Sequence, residues 1–254
     1  MTKEKKELLD VHSTSSDHSG AVGILEIVLR KFRVASFSIL LAPIILLYIL
    51  CMGISITPGV ILYRFVLEKT LNNSFLVQSL AQGLCISAGF ILYGFTLILV
   101  VPLVNKLLFL KVKPQRSTWF SLSVIPWYYH NALTYMVRYT FLDIITPTPL
   151  NKMFYQLMGM KIGKGTMINT SNISDPCLIE IGDHVTIGGS CTIVAHYGMK
   201  GFLIIEKTII KDNATIGLRA NVFGDVIVGK NAMVKPNEVV YPKTRIPDYE
   251  SSKT

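Results

Sequence analysis

His196 is the residue best placed to do chemistry in this 254-residue chain. An imidazole, with an ordinary pKa of about 6.5, takes a proton from a hydroxyl or an amine near neutral pH. His196 follows Ile193 by three and stands where a regular repeat breaks. Ile193 and Ile210 are 17 residues apart, and a six-residue count fails across Tyr197-Gly198-Met199-Lys200-Gly201-Phe202. An outward loop directly after a histidine supplies one wall of an active site; the alternative is a solvated corner histidine. His184 holds the same place in its own repeat, three after Ile181 and two faces from His196 within one chain, so that only a neighbouring chain would bring the two closer. Asp175 and Asp183 are candidates to orient an imidazole or hold an amine, against a plain role in turns, where aspartate serves through local hydrogen bonds. A zinc centre would need three histidines around an open fourth position. The repeat region has His184 and His196 alone, so no metal is expected.

These residues sit in a six-residue periodicity. Aliphatic side chains recur at Ile181, Ile187 and Ile193, then at Ile210, Ile216, Val222, Val228, Val234 and Val240. Glycine follows at Gly182, Gly188, Gly217 and Gly229. Small or medium residues come four after the aliphatic, at Val185, Cys191, Ala214, Ala220, Val226 and Ala232. A period of six fits neither an amphipathic helix nor an alternating strand. It fits a parallel β-helix with three flat faces per coil, one hexad per face. The aliphatic points into the prism, and the small residue is expected where the chain turns. Gly and Asn at the corners tolerate positive φ. If the loop after His196 replaces one corner, Ile216 stacks on Ile193 and Arg219 sits above His196.

The front half is different material. Half of the chain is hydrophobic and 16% is charged, too apolar for an ordinary soluble domain. Val34 to Thr57 and Phe75 to Asn105 carry no charge, and each is long enough to cross a bilayer core of about 30 Å. A signal peptide is disfavoured for the first run, because its apolar stretch is too long and no small-x-small site follows. Arg30, Lys31 and Arg33 precede the first run, and Lys106, Lys111, Lys113 and Arg116 follow the second. Between the runs lie Arg64 and Lys69, partly offset by Glu68. The positive-inside rule then places both termini in the cytoplasm of a multi-pass cell-membrane protein.

The formal charge of +9 is mainly a membrane signature. Residues 1–150 hold 13 basic and 7 acidic side chains, and residues 151–254 hold 12 and 9. The excess lies beside the spans, where it attracts anionic lipid. The repeat region is nearly balanced and offers no basic face for nucleic acid. Cys51, Cys85, Cys177 and Cys191 show no C-x-x-C spacing and are expected as free thiols. The expected organisation is a disordered tail and short amphipathic helix at 1–33 and a two-span hairpin at 34–116. Interfacial helices and a linker follow at 117–150, then the β-helix at 151–245 and a tail at 246–254. For 117–145 the alternative is a third span. Pro126, His130, Arg138 and Asp143 favour helices lying in the interface, with Trp and Tyr at headgroup level.

Three stretches carry a family resemblance. Thr148-Pro149-Leu150 with Met158-Gly159-Met160-Lys161-Ile162-Gly163 resembles the "GTP…LGAKIG" opening of hexapeptide-repeat domains. Asp175 through Asp183 resembles "D-x-x-L-I-x-I-G-D", and Val234 through Pro242 resembles "V-M-K-G-E-V-V-P-P". Over roughly residues 117–245 the chain resembles hexapeptide-repeat acyltransferases and the membrane-bound C-terminal module of poly-lysine-synthetase-like nonribosomal peptide synthetases. The usual closing "G-x-P-A" is absent; the chain reads Ile246-Pro247-Asp248-Tyr249. The resemblance implies a left-handed coil and a homotrimer. It also implies one histidine as general base, here His196, and acyl-CoA as co-substrate, lying in a groove between neighbouring prisms, with no bound cofactor. Arg219 and Lys200 are then candidates for the CoA phosphates, against a plain surface role. The implied activity is transfer of an acyl group to a hydroxyl or amine of a surface polymer, lipid or peptide precursor. The alternative is a non-catalytic membrane-anchored scaffold or accessory module, since repeat prisms make rigid platforms.

Overall fold

A computed structural model of the protein describes residues 19–252. The tail expected at the start of the chain lies almost wholly outside the described residues. Helix α1 (Gly20–Lys31) has Gly23, Glu26 and Leu29 buried, one stripe at a spacing of three. Two long helices follow, α2 (Arg33–Thr70) and α3 (Phe75–Leu107). Both are long and apolar enough to cross a membrane. They pack as an antiparallel hairpin, and a Cβ on Gly59 would stand 3.0 Å from the Gly89 backbone, so glycine permits this close approach. The outward side chains, among them Val34, Ile39, Ile45, Leu46, Ile49, Ile61, Leu80 and Leu84, are exposed.

Helix α4 (Ile125–Val137) begins with a proline in its first turn and runs into a π-helical turn, Arg138–Leu142. It is wedged between the hairpin and the repeat region, with a polar face on each side. Towards the hairpin, the Tyr129 hydroxyl donates to the Leu40 carbonyl (2.8 Å) and His130 Nδ1 meets Asn105 Oδ1 (3.1 Å). In return, the Tyr48 hydroxyl donates to the Ala132 carbonyl (2.9 Å). Phe141 fills the space over Gly94, against Phe90 and Phe95. Many of the aromatic residues of 117–145 thus pack against protein, while of the polar ones His130 meets α3 and Arg138 meets Asn172.

After α5 (Pro149–Leu157) the chain winds through three parallel sheets in rotation. One face stacks β2 (Lys161–Ile162), β4 (Ile179–Ile181), β9 (Thr208–Ile210), β12 (Val226–Val228) and β15 (Arg245–Ile246). The second stacks β3 (Met167–Ile168), β5 (Thr186–Ile187), β10 (Thr215–Ile216) and β13 (Met233–Val234). The third stacks β6 (Thr192–Ile193), β11 (Asn221–Val222) and β14 (Val239–Val240). All nine aliphatics of the expected period are buried, in three vertical columns. The small residues are buried too, but the turn falls one residue earlier. His184, Ser190, Asn213, Arg219, Asp225 and Asn231 carry the left-handed φ, and the small residue follows as the chain re-enters the core.

Two expectations are corrected here. The prism does not end at 245: β15 pairs with β12, Tyr249 forms a further left-handed corner, and Ser251 bridges to Met233. The stretch 246–252 is thus the last part of the coil. Nor does the loop after His196 replace a corner. It is inserted into one, as a hairpin of β7 (His196–Met199) and β8 (Phe202–Ile205), extended by β1 (Gln115–Thr118) on the far side of β8. The coil then resumes its ordinary order. Ile216 stacks on Ile187, and Val222 stacks on Ile193.

Candidate active site

The corner between the third and first faces carries the site. In the lower coil this corner is loosened by a short 3-10 turn, Pro176–Leu178, preceded by Asp175 in the left-handed region (φ 58°). In the next coil the same corner opens into the β7–β8 hairpin, whose first residue is His196. Asp175 and His196, 21 residues apart in sequence, are therefore neighbours one coil apart. Asp175 Oδ2 lies 2.5 Å from His196 Nδ1 and also accepts the Ala195 N–H (2.9 Å).

The other carboxylate oxygen is held from α4. Trp127 Nε1 donates to Asp175 Oδ1 at 2.6 Å and Asn131 Nδ2 donates at 2.7 Å. Asp175 is fully buried. Burial alone would raise its carboxyl pKa, but the hydrogen bond and charge of His196, the Asn131 amide and the Ala195 N–H outweigh it. The group is held below the usual carboxylate range. An ionised carboxylate only accepts, so His196 Nδ1 carries the proton of their hydrogen bond. Nε2 is left as the basic nitrogen of a half-buried ring, 21% exposed. The indole of Trp127 meets that ring edge-on, 5.0 Å between centroids at 75°.

The other candidates lie elsewhere. His184 is an exposed left-handed corner residue between the first and second faces, packed over Gly165. Asp183, exposed beside it, accepts the Lys164 N–H at 2.7 Å and serves as a turn residue. Arg219 is corrected: its backbone N–H donates to the Gly189 carbonyl, above Ser190 and not above His196, because the hairpin adds to the coil. Lys200 is exposed at the hairpin tip, with φ 51°. Cys177, two residues from Asp175, is pushed up to about 12 by burial and by the Asp175 charge, which keeps it a thiol and excludes it as a nucleophile at neutral pH. Among the described residues no three His, Cys, Asp or Glu side chains gather as a metal site.

Trp127 and Asn131 were not legible as site residues. The signal available was helical spacing: Trp127, Asn131, Tyr135 and Arg138 fall on one face of α4 and its π turn. All four bond the first coil, Tyr135 to Ser174 (2.8 Å) and Arg138 to Asn172.

No family model matches the chain. A stretch of 100 residues is 32% identical to a 2,3,4,5-tetrahydropyridine-2,6-dicarboxylate N-succinyltransferase of Methylorubrum populi, covering 38% of this chain and 33% of that protein. Another of 88 residues is 36% identical to the bifunctional protein GlmU of Brevibacillus brevis, covering 34% of this chain and 18% of that one. The chain thus spans a third or less of the length of these curated relatives. Among solved structures, the hexapeptide-repeat-containing acetyltransferase VCA0836 of Vibrio cholerae aligns with a TM-score of 0.35 at 14% identity, over 47% of this chain and 82% of that one. The proteins that this chain is similar to thus include one named as a succinyltransferase and one named as a hexapeptide-repeat-containing acetyltransferase.

Proposed function

We propose that this protein is a membrane-anchored acyltransferase with a left-handed β-helix, in which His196 is the general base and Asp175 orients it. The observation that carries the reading is the buried Asp175 carboxylate on His196 Nδ1, which leaves Nε2 free to take a proton. The acceptor hydroxyl or amine loses its proton to Nε2 as its oxygen or nitrogen attacks the thioester carbonyl of acyl-CoA. The tetrahedral intermediate then collapses, the C–S bond breaks, and the imidazolium returns the proton to the departing CoA thiolate. The acceptor class is a surface polymer, lipid or peptide precursor. Its peptide member accords with the resemblance to peptide-synthetase membrane modules.

Incubating the detergent-solubilised protein with a series of acyl-CoAs tests the reading. One donor should raise the melting temperature in proportion to its concentration, because a ligand that binds only the folded state stabilises it by RT ln(1 + [L]/Kd). The same donor should release free CoA thiol when an acceptor is added. No donor-dependent shift across short and long acyl chains would remove the acyl-CoA site.

In this reading α2 and α3 cross the membrane and both termini are cytoplasmic. Their exposed aliphatic surface supports it, being otherwise an unmet cost in water. Reporter fusions after Lys113 and at the C-terminal end should both score cytoplasmic. A C-terminal reporter outside would overturn the topology and remove the site from cytoplasmic CoA. In this reading the chain is also a homotrimer that meets its neighbours through the second face; the uncharged strip of Met167, Thr186, Thr215 and Met233, in register there, supports that choice.

A further inference from the structure

We propose that Asn131, assisted by Trp127, is the positioning residue of the Asp175–His196 pair, so that helix α4 is a working part of the site and not only a bridge from prism to membrane hairpin. This rests on the reading of His196 as the base. Asn131 grips Asp175 twice. Its amide nitrogen donates to the carboxylate Oδ1 at 2.7 Å, and its amide oxygen accepts the Asp175 backbone N–H at 3.2 Å. The same nitrogen donates to the Trp127 carbonyl at 3.1 Å. Two acceptors therefore face the NH2 and one donor faces the oxygen. The reversed amide would set its oxygen against both acceptors, so the orientation follows from the surroundings.

The two contacts have different effects. The bond to the backbone N–H helps hold Asp175 in its left-handed conformation. The bonds from Asn131 and Trp127 to Oδ1 fix the carboxylate plane, and Oδ2 is then aimed at His196 Nδ1. Without them the carboxylate swings, the imidazole is no longer held in one tautomer, and Nε2 presents its lone pair for a smaller fraction of the time. The prism by itself supplies one donor besides His196, the Ala195 N–H, so the rest of the support comes from outside the coil.

The test reads His196 directly and needs no acyl substrate. Full-length protein in detergent is treated with diethyl pyrocarbonate, which acylates neutral imidazole nitrogen. Modification of His196 is followed by peptide mass spectrometry against exposed His184 as internal reference. Asn131→Leu keeps the side-chain size and removes all three hydrogen bonds. Trp127→Phe keeps an aromatic ring and removes one donor. Each is made in the native background and in Asp175→Asn. The expected result is a drop in the His196:His184 rate ratio of about tenfold for Asn131→Leu and a few-fold for Trp127→Phe, with no further drop from either change once Asp175 is Asn. Groups acting through one partner show this non-additivity. An unchanged or increased ratio, or an equal drop in both backgrounds, overturns the proposal; the last would mean a general loosening of the fold. If Asn131→Leu does not fold, Trp127→Phe carries the same comparison. A ratio that behaves as expected in a protein that transfers no acyl group would sink the acyltransferase reading and leave the positioning intact.

Discussion

Replacing His196 by alanine should abolish measurable acyl transfer while the protein still folds. A positioned general base contributes roughly 10²–10⁴-fold, and no other described side chain stands ready to replace it. His184 lies at another corner, and Cys177 is held as a thiol. The change is not neutral for stability, as it would be for a fully solvated corner histidine. His196 Nδ1 is one of the donors on a buried carboxylate, so its loss should cost about 1–3 kcal/mol. Turnover with each acyl-CoA and a melting curve on the same preparation check both parts. Retained turnover would eliminate His196 as the base.

Asp175→Ala should have the largest effect on stability. It leaves Trp127 Nε1, Asn131 Nδ2 and the Ala195 N–H facing an empty site inside the protein. Each buried donor left without its acceptor costs about 1–3 kcal/mol. Turnover should fall too, though by no more than for His196→Ala, because the imidazole loses its fixed tautomer while the base itself remains. The pH dependence follows from the depressed carboxyl pKa of the folded state. A group depressed on folding contributes fully above its unfolded value of about 3.9 and loses that contribution as pH falls through its lower folded value. The difference in stability between native protein and Asp175→Ala should therefore hold steady from about pH 8 to pH 5 and shrink below about pH 4. Denaturant titrations across that range would show it. A difference that disappears between pH 5 and 7 would mean that another group sets it.

Much of this protein was readable before any coordinates. Nine aliphatics at a spacing of six, with glycine and small residues at fixed offsets between them, fit coils of three hexads that share one interior. The break in that period at His196 marked where the coil opens, and the charge-free runs marked the two long helices. Asp175 and His196 were both visible as candidates, yet their pairing was not. It depends on how many residues each corner absorbs: a 3-10 turn in one coil and a whole hairpin in the next. Periodicity counts residues within faces, but corner insertions shift the register without altering the pattern on either side. That is why Arg219 was expected above His196 and lies instead above Ser190.

The sequence by itself determined the local rules: which residues point inward, which segments shun water, and where the regular coil gives way. Each follows from the chemistry of neighbours along the chain. Only the tertiary structure decided that α4 lies between hairpin and prism and supplies two of the four donors on the Asp175 carboxylate. Trp127 and Asn131 lie 48 and 44 residues from Asp175 in the chain. A buried carboxylate must be met by donors, but nothing local says from where. That choice is made by the packing of α4 against two surfaces at once.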